Sequence, residues 1–135
     1  GNGRRESFRS SPIPRMRATY MESGNANPED IIASVEKGVY VDEFSNGQVK
    51  IGEGDFTFFV KSGYLIENGK LTMPVKDINV IGNGPQALKD IIAVGNDCKL
   101  DDSAWTCGKG QSVPVCCGMP TVLVNNLTVG GEENA

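Results

Sequence analysis

The chain has 135 residues, of which 39% are hydrophobic and 22% charged, with a formal net charge of −4. That length suits one domain and excludes two ordinary ones, and the balance is globular rather than disordered. A net acidic chain lacks the basic face that neutralises phosphates, which argues against direct nucleic-acid binding, and no stretch is apolar enough to cross a membrane.

In chain order, residues 1–24 read as an extended arm. Pro12 and Pro14 enforce extended backbone and Gly24 closes the stretch. Arg4, Arg5, Arg9, Arg15 and Arg17 all fall in the first seventeen residues, against Glu6 alone, which fits docking on acidic surface of the same protein or of a partner. Asn27 is then a good N-cap, with Pro28 at the first helical position and Glu29 and Asp30 at the positive end of the dipole. Ile31, Ile32 and Val35 share one face of this first helix, and Gly38 is placed to end it.

Val39 to Val60 predicts strands broken by glycine turns at Asn46-Gly47 and Gly52-Glu53-Gly54. Tyr64 to Met73 predicts a hairpin about Asn68-Gly69, because that dipeptide supplies the positive φ values a two-residue turn demands. A second helix is expected from about Pro85 to Val94, with Leu88, Ile91 and Ile92 on one face and Gly95 as terminator. Short strands follow near Val113–Cys117, Thr121–Val124 and Leu127–Val129, and 130–135 reads as a frayed tail. The sum is an α+β domain of mostly antiparallel sheet, or a barrel-like variant of it, with two short helices.

Few residues could carry chemistry. Gly82-Asn83-Gly84-Pro85-Gln86-Ala87 matches a dinucleotide-binding fingerprint, with Asp101 and Asp102 at about the right remove. The preceding chain lacks βαβ alternation, so a plain strand-to-helix turn is expected there instead. The cysteines are Cys98, Cys107, Cys116 and Cys117. Their spacing matches no structural zinc knuckle, and Cys116 and Cys117, being adjacent, pair poorly with one another. With no histidine in the chain, the common general base for a catalytic thiol is absent. Free or metal-bound thiols and a cytoplasmic setting are therefore expected. Cys107 stands apart: it precedes Gly108-Lys109-Gly110-Gln111-Ser112, where glycines allow close backbone approach and Lys109 favours a thiolate.

Several stretches together resemble the C-terminal portion of the TldD/PmbA metallopeptidase family, the modulators of DNA gyrase. They are Gly1-Asn2-Gly3-Arg4-Arg5, Pro14-Arg15-Met16-Arg17-Ala18-Thr19-Tyr20-Met21, Pro28-Glu29-Asp30-Ile31-Ile32 and Tyr64-Leu65-Ile66-Glu67-Asn68-Gly69-Lys70. Val94-Gly95-Asn96-Asp97, Cys107-Gly108-Lys109, Gly110-Gln111-Ser112-Val113-Pro114-Val115 and Leu127-Thr128-Val129-Gly130-Gly131 come next in the family's order. The likeness is to the TldD type and covers almost the whole chain, so 1–135 is expected to be a single C-terminal domain from a longer peptidase.

The resemblance implies a catalytic zinc held by two histidines of a His-Glu-x-x-x-His helix outside this chain and by a cysteine at the position of Cys107. It implies cleavage of unfolded or small peptides, with this chain inactive alone. Val113, Pro114 and Val115 are the expected substrate-side strand, a free edge that could pair with a peptide. Implied partners are a TldE/PmbA-like subunit or a second copy. The other reading is a non-catalytic assembly module, giving dimer surface or contact with DNA gyrase.

Overall fold

The computed structural model describes residues 2–101 and 105–131. The N-terminal arm is woven into the fold rather than lying loosely on it. β1 (Gly3–Arg4) pairs antiparallel with β2 (Ile13–Pro14), and β3 (Ala18–Tyr20) comes directly after. The first helix, α1 (Pro28–Ala33), begins as expected, with the Asn27 side chain accepting from the Glu29 N–H at 2.8 Å. It ends earlier than Gly38. Ser34 caps it, its N–H reaching the carbonyls of Asp30 and Ile31 while the Val35 N–H reaches that of Ile32, and the chain is extended again by Lys37.

β4 (Lys37–Val49) and β5 (Asp55–Glu67) form a long antiparallel pair. The expected break at Asn46-Gly47 does not occur: both residues lie inside β4, opposite Phe59 and Phe58. Gly47 serves packing here, because a Cβ at that position would run into the Phe58 ring. The chain turns instead at residues 50–54, where Gly52 and Gly54 have positive φ. Asn68 (φ 51°) and Gly69 (φ 74°) then form the expected tight turn into β6 (Lys70–Val75). The turn packs on the end of α1, with the Asn68 N–H donating to Glu36 and the Gly69 N–H to Val35.

β7 (Ile78–Asn83) runs beside β5 and leads into α2 (Gly84–Lys89). This helix is shorter than its apolar spacing predicts, and Ile91 and Ile92 belong to β8 (Ile91–Val94). Strand pairing explains the change: β8 pairs with β12 (Val122–Val124), so the apolar run is used in a sheet rather than along a helix. β9 (Lys99–Leu100), β10 (Trp105–Gly108) and β11 (Ser112–Met119) precede β12, and β13 (Thr128–Gly130) closes the described chain beside β7. The predicted tail therefore begins inside a strand, and residues 132–135 lie outside the described residues.

The pairings assemble a five-stranded antiparallel sheet, ordered β13-β7-β5-β4 with β6 on β5. A second sheet runs β10-β11-β3 with β9 on β11, and two strand pairs complete the fold. The β11–β3 pairing is parallel; the other strand pairings are antiparallel. The class is α+β with antiparallel sheets and two short helices, and no closed barrel forms among the described residues. The buried apolar side chains include Ile31, Val60, Ile66, Val80 and Val113. Of these, Val113 anchors the strand opposite Cys107.

The glycine-rich segment before α2 has a structural use. Gly82 and Asn83 are in β7, whose neighbours are antiparallel, so no βαβ unit surrounds them. Asn83 caps α2 and its amide donates to the Glu53 carbonyl and the Asp55 carboxylate, both at 2.9 Å. A Cβ at Gly82 would press on Phe56 and Leu127. Asp102, its imagined ribose partner, lies outside the described residues.

Candidate metal centre

Cys107 sits on β10, in a hairpin with β11 whose register pairs Cys107 with Val113 and Gly108 with Ser112. Lys109, Gly110 and Gln111 make the turn, with Gly110 at φ 69°. Alternation along β10 turns Trp105 and Cys107 towards the half-buried face, and Thr106 and Gly108 towards solvent. The thiol is thus half-buried, on regular backbone, one pair from a tight turn. A side chain on a paired strand is held far more firmly than one on a loop.

The N-terminal arm closes over this hairpin. Gln111 uses both ends of its carboxamide on it: Nε2 donates to the Ser11 carbonyl at 2.9 Å, and Oε1 accepts from the Glu6 N–H at 3.1 Å. Lys109 Nζ donates to the Pro14 carbonyl at 3.1 Å. Arg15 answers from the arm. Its Nη2 donates to the Cys107 carbonyl and, at 2.6 Å, to the Gln111 carbonyl, so one side chain ties both sides of the turn. Arg15 is 4% exposed. Arg5, Arg9 and Arg17 are exposed and Arg4 donates to the Met16 carbonyl at 2.5 Å. Arg4 and Arg15 therefore dock on backbone carbonyls of this chain rather than on its acidic surface. Among the described residues the ion pairs are Lys50–Glu53, Lys61–Glu43 and Lys76–Asp77.

The electrostatic effect falls on the sulfur. Hydrogen bonding from the Arg15 guanidinium holds the Cys107 thiol below the usual cysteine range; burial opposes this, while the Met16 backbone and the charges of Arg15 and Lys109 add to it. Lys109, the residue the sequence pointed to, is the least of these causes. Nε and Nη1 of Arg15 are nevertheless buried with no aligned acceptor. The guanidinium is within reach of the Cys107 side chain, and because a neutral thiol is a weak acceptor, a thiolate there would accept from it more strongly. Cys117 behaves oppositely: burial, then the neighbouring Cys116 and Asp101, push its thiol up. Cys98 donates to the Met21 carbonyl at 3.1 Å. All four cysteines are free.

Val113, Pro114 and Val115 pair with β10 on one side, while β3 pairs only with Cys116, Cys117 and Gly118 further along β11. The outer strand beside Cys107 is β10. Val113 is buried, Val115 half-buried and Pro114 exposed. Two surface depressions of about 300 and 370 Å³ lie on the large sheet, around Asn79 and around Tyr64, and neither is lined by the Cys107 hairpin or by Arg15.

The family model for the PmbA/TldA metallopeptidase C-terminal domain matches residues 1–131. The chain belongs to that metallopeptidase family. A metalloprotease TldD homolog of Buchnera aphidicola is 48% identical over 132 residues, which cover 97% of this chain and 27% of that protein. A zinc metalloprotease TldD homolog of Saccharolobus solfataricus is 33% identical over 132 residues, covering 97% of this chain and 29% of the relative. The crystal structure of TldE from Thermococcus kodakarensis superposes with a TM-score of 0.77 at 20% identity, covering 97% of this chain and 27% of that one, and so shares the fold. This chain thus spans little more than a quarter of the length of the TldD relatives it matches.

The family's metal can be tested against this chain's own atoms. Among the described residues no three histidine, cysteine or carboxylate side chains gather into a metal site. A complete site is not built here. As a single ligand, Cys107 fits well: it is a free, half-buried thiol with a lowered pKa, on a braced hairpin beside buried cationic donors. Sequence reasoning reached Cys107 but missed Arg15, because nothing in the local pattern distinguishes it from the four other arginines of the arm.

Proposed function

We propose that this domain supplies Cys107 as the thiolate ligand of a zinc centre in a peptidase of the TldD type. Two histidines and a glutamate base would come from a His-Glu-x-x-x-His helix elsewhere in a protein of the relatives' length. The observation that carries the reading is the setting of Cys107. Its thiol is held below the usual cysteine range, and it stands on a paired strand anchored by buried Val113. Zinc in such a centre lowers the pKa of a bound water towards ~7 and polarises the scissile carbonyl.

The residues of this chain divide the remaining work. Cys107 presents its sulfur as a thiolate, and Arg15, Gln111 and Lys109 fix the hairpin that carries it. Pro114 offers an exposed side chain to a peptide, Val115 a partial one, and Val113 holds the strand from behind. The outer strand β10 gives an extended backbone along which an unfolded or small peptide can lie.

A second reading is assembly with a TldE/PmbA-like subunit or a second copy. Ile51 at 95% exposure and Phe8 at 78% are large apolar side chains that a partner would cover. The two readings are compatible in one protein. Metal analysis of the parent protein tests the first: Cys107→Ala should lose zinc and peptidase activity together. Full zinc occupancy in that variant removes Cys107 from the centre.

A further inference from the structure

We infer that Arg15 is the positioning residue of the metal thiolate, bracing Cys107 through its backbone carbonyl and donating to its sulfur when metal is bound. The inference rests on Cys107 being a zinc ligand and adds a residue that the ligand set does not contain. Three observations carry it.

The first is geometric. Nη2 donates to the carbonyls of Cys107 and Gln111, one on each side of the turn, so the guanidinium fixes the hairpin at the residue that must aim its sulfur. The Arg15 backbone is itself anchored, its N–H donating to the Asn2 carbonyl at 2.9 Å. The second is burial without charge pairing. Arg15 is 4% exposed, and none of the ion pairs among the described residues includes it. A buried cation without a counter-ion is costly, so such a group is ordinarily found beside an anion. The third is the state of the remaining donors. Among the described residues Nε and Nη1 are buried with no hydrogen-bond partner, whereas a purely structural arginine would have them satisfied.

The Cys107 sulfur resolves all three when it is a thiolate. It provides the missing negative charge and accepts from donors that a neutral thiol engages poorly. A metal-bound thiolate keeps enough charge on sulfur to accept such bonds, which orient the ligand and moderate its donation to the metal. Lysine could supply the charge but not the planar fork that reaches a carbonyl pair and a sulfur together.

The experiment uses the parent protein, loaded with zinc or with cobalt(II) as a spectroscopic substitute, in wild-type, Arg15→Gln, Arg15→Lys and Cys107→Ala forms. Zinc affinity is measured by chelator competition, and the thiolate-to-cobalt charge-transfer band by absorption. Arg15→Gln should weaken zinc on the order of 10- to 100-fold and move the band to lower energy, since the sulfur loses its donors. Arg15→Lys should restore affinity in part and leave the band displaced. A folded Arg15→Gln protein with wild-type affinity and an unmoved band overturns the inference. Should Arg15→Gln fail to fold, an unmoved band in Arg15→Lys overturns it equally. Zinc loss in Cys107→Ala beside an unaffected Arg15→Gln sinks this inference alone, whereas zinc retention in Cys107→Ala sinks the ligand assignment beneath it.

Discussion

Arg15 and Cys107 lie 92 positions apart in the chain, yet the guanidinium of one donates to the backbone carbonyl of the other. That contact joins the N-terminal arm to the β10–β11 hairpin, and Lys109 and Gln111 reinforce it from the opposite side. The Gly-Lys-Gly-Gln-Ser run after the cysteine is thus as much an arm-binding surface as a turn.

The two kinds of thiol should separate by reactivity. Cys107 has a lowered pKa and Cys117 a raised one, so in metal-free protein Cys107 should be alkylated at a pH where Cys117 is still protonated. Mass spectrometry after brief iodoacetamide treatment across a pH series reads this directly. Equal labelling of both at every pH would contradict it. Arg15→Gln should move the Cys107 onset to higher pH, because the largest cause of the lowering is removed.

Asp97 pins the loop after β8 to the start of β12. Its carboxylate accepts from the Thr121 N–H at 2.9 Å and the Thr121 hydroxyl at 2.7 Å. The hydroxyl bond, then the backbone bond, hold its pKa below the ordinary 3.8 against a small opposing effect of burial. The folded value is below the unfolded one, so the stabilisation is fully present above pH 3.8 and is lost as pH falls through the folded value. Asp97→Asn should lower the urea midpoint at neutral pH, and the difference from wild type should shrink as acid is added through that window. A pH-independent difference would refute the assignment.

Gly69 should resist substitution. Its φ is 74°, and a Cβ would stand 3.0 Å from the Ala33 Cα as well as pressing on the Ala33 carbonyl. The left-handed conformation alone costs a side chain about 1–2 kcal/mol, and the contact with α1 adds to that. Gly69→Ala should therefore lower the denaturation midpoint by more than Gly108→Ala, where a Cβ meets open space.

The first helix offers a smaller effect. Asn27 accepts from the Glu29 N–H at 2.8 Å, and replacing such a cap with alanine costs about 1 kcal/mol. Asn27→Ala should destabilise by that order in equilibrium unfolding, while Asn27→Asp, which keeps the acceptor, should not.

Local chemistry was legible where it acts over a few residues. The Asn68-Gly69 turn follows from positive φ, the Asn27-Pro28 helix start from capping, and the α+β class from the mixture of both signals. Cys107 was legible through its flanking glycines and through the family's motif order. The misses share one cause, competition from distant strands. Gly47 looked like a turn because glycine permits one, but Phe58 across the ladder required a residue without a side chain. Ile91 and Ile92 looked helical by spacing, but β12 offered the segment an antiparallel partner.

Residue type and short spacing were enough for the Asn68-Gly69 turn and the helix starts, while the family and the cysteine proposed to bind metal came from the resemblance carried by the ordered motifs. They could not single out one arginine among the five of the arm, which took the folded chain. Sequence neighbours cannot bury a guanidinium or give it two carbonyls from opposite sides of one turn. That needed a hairpin almost at the far end of the chain, folded back against Arg15.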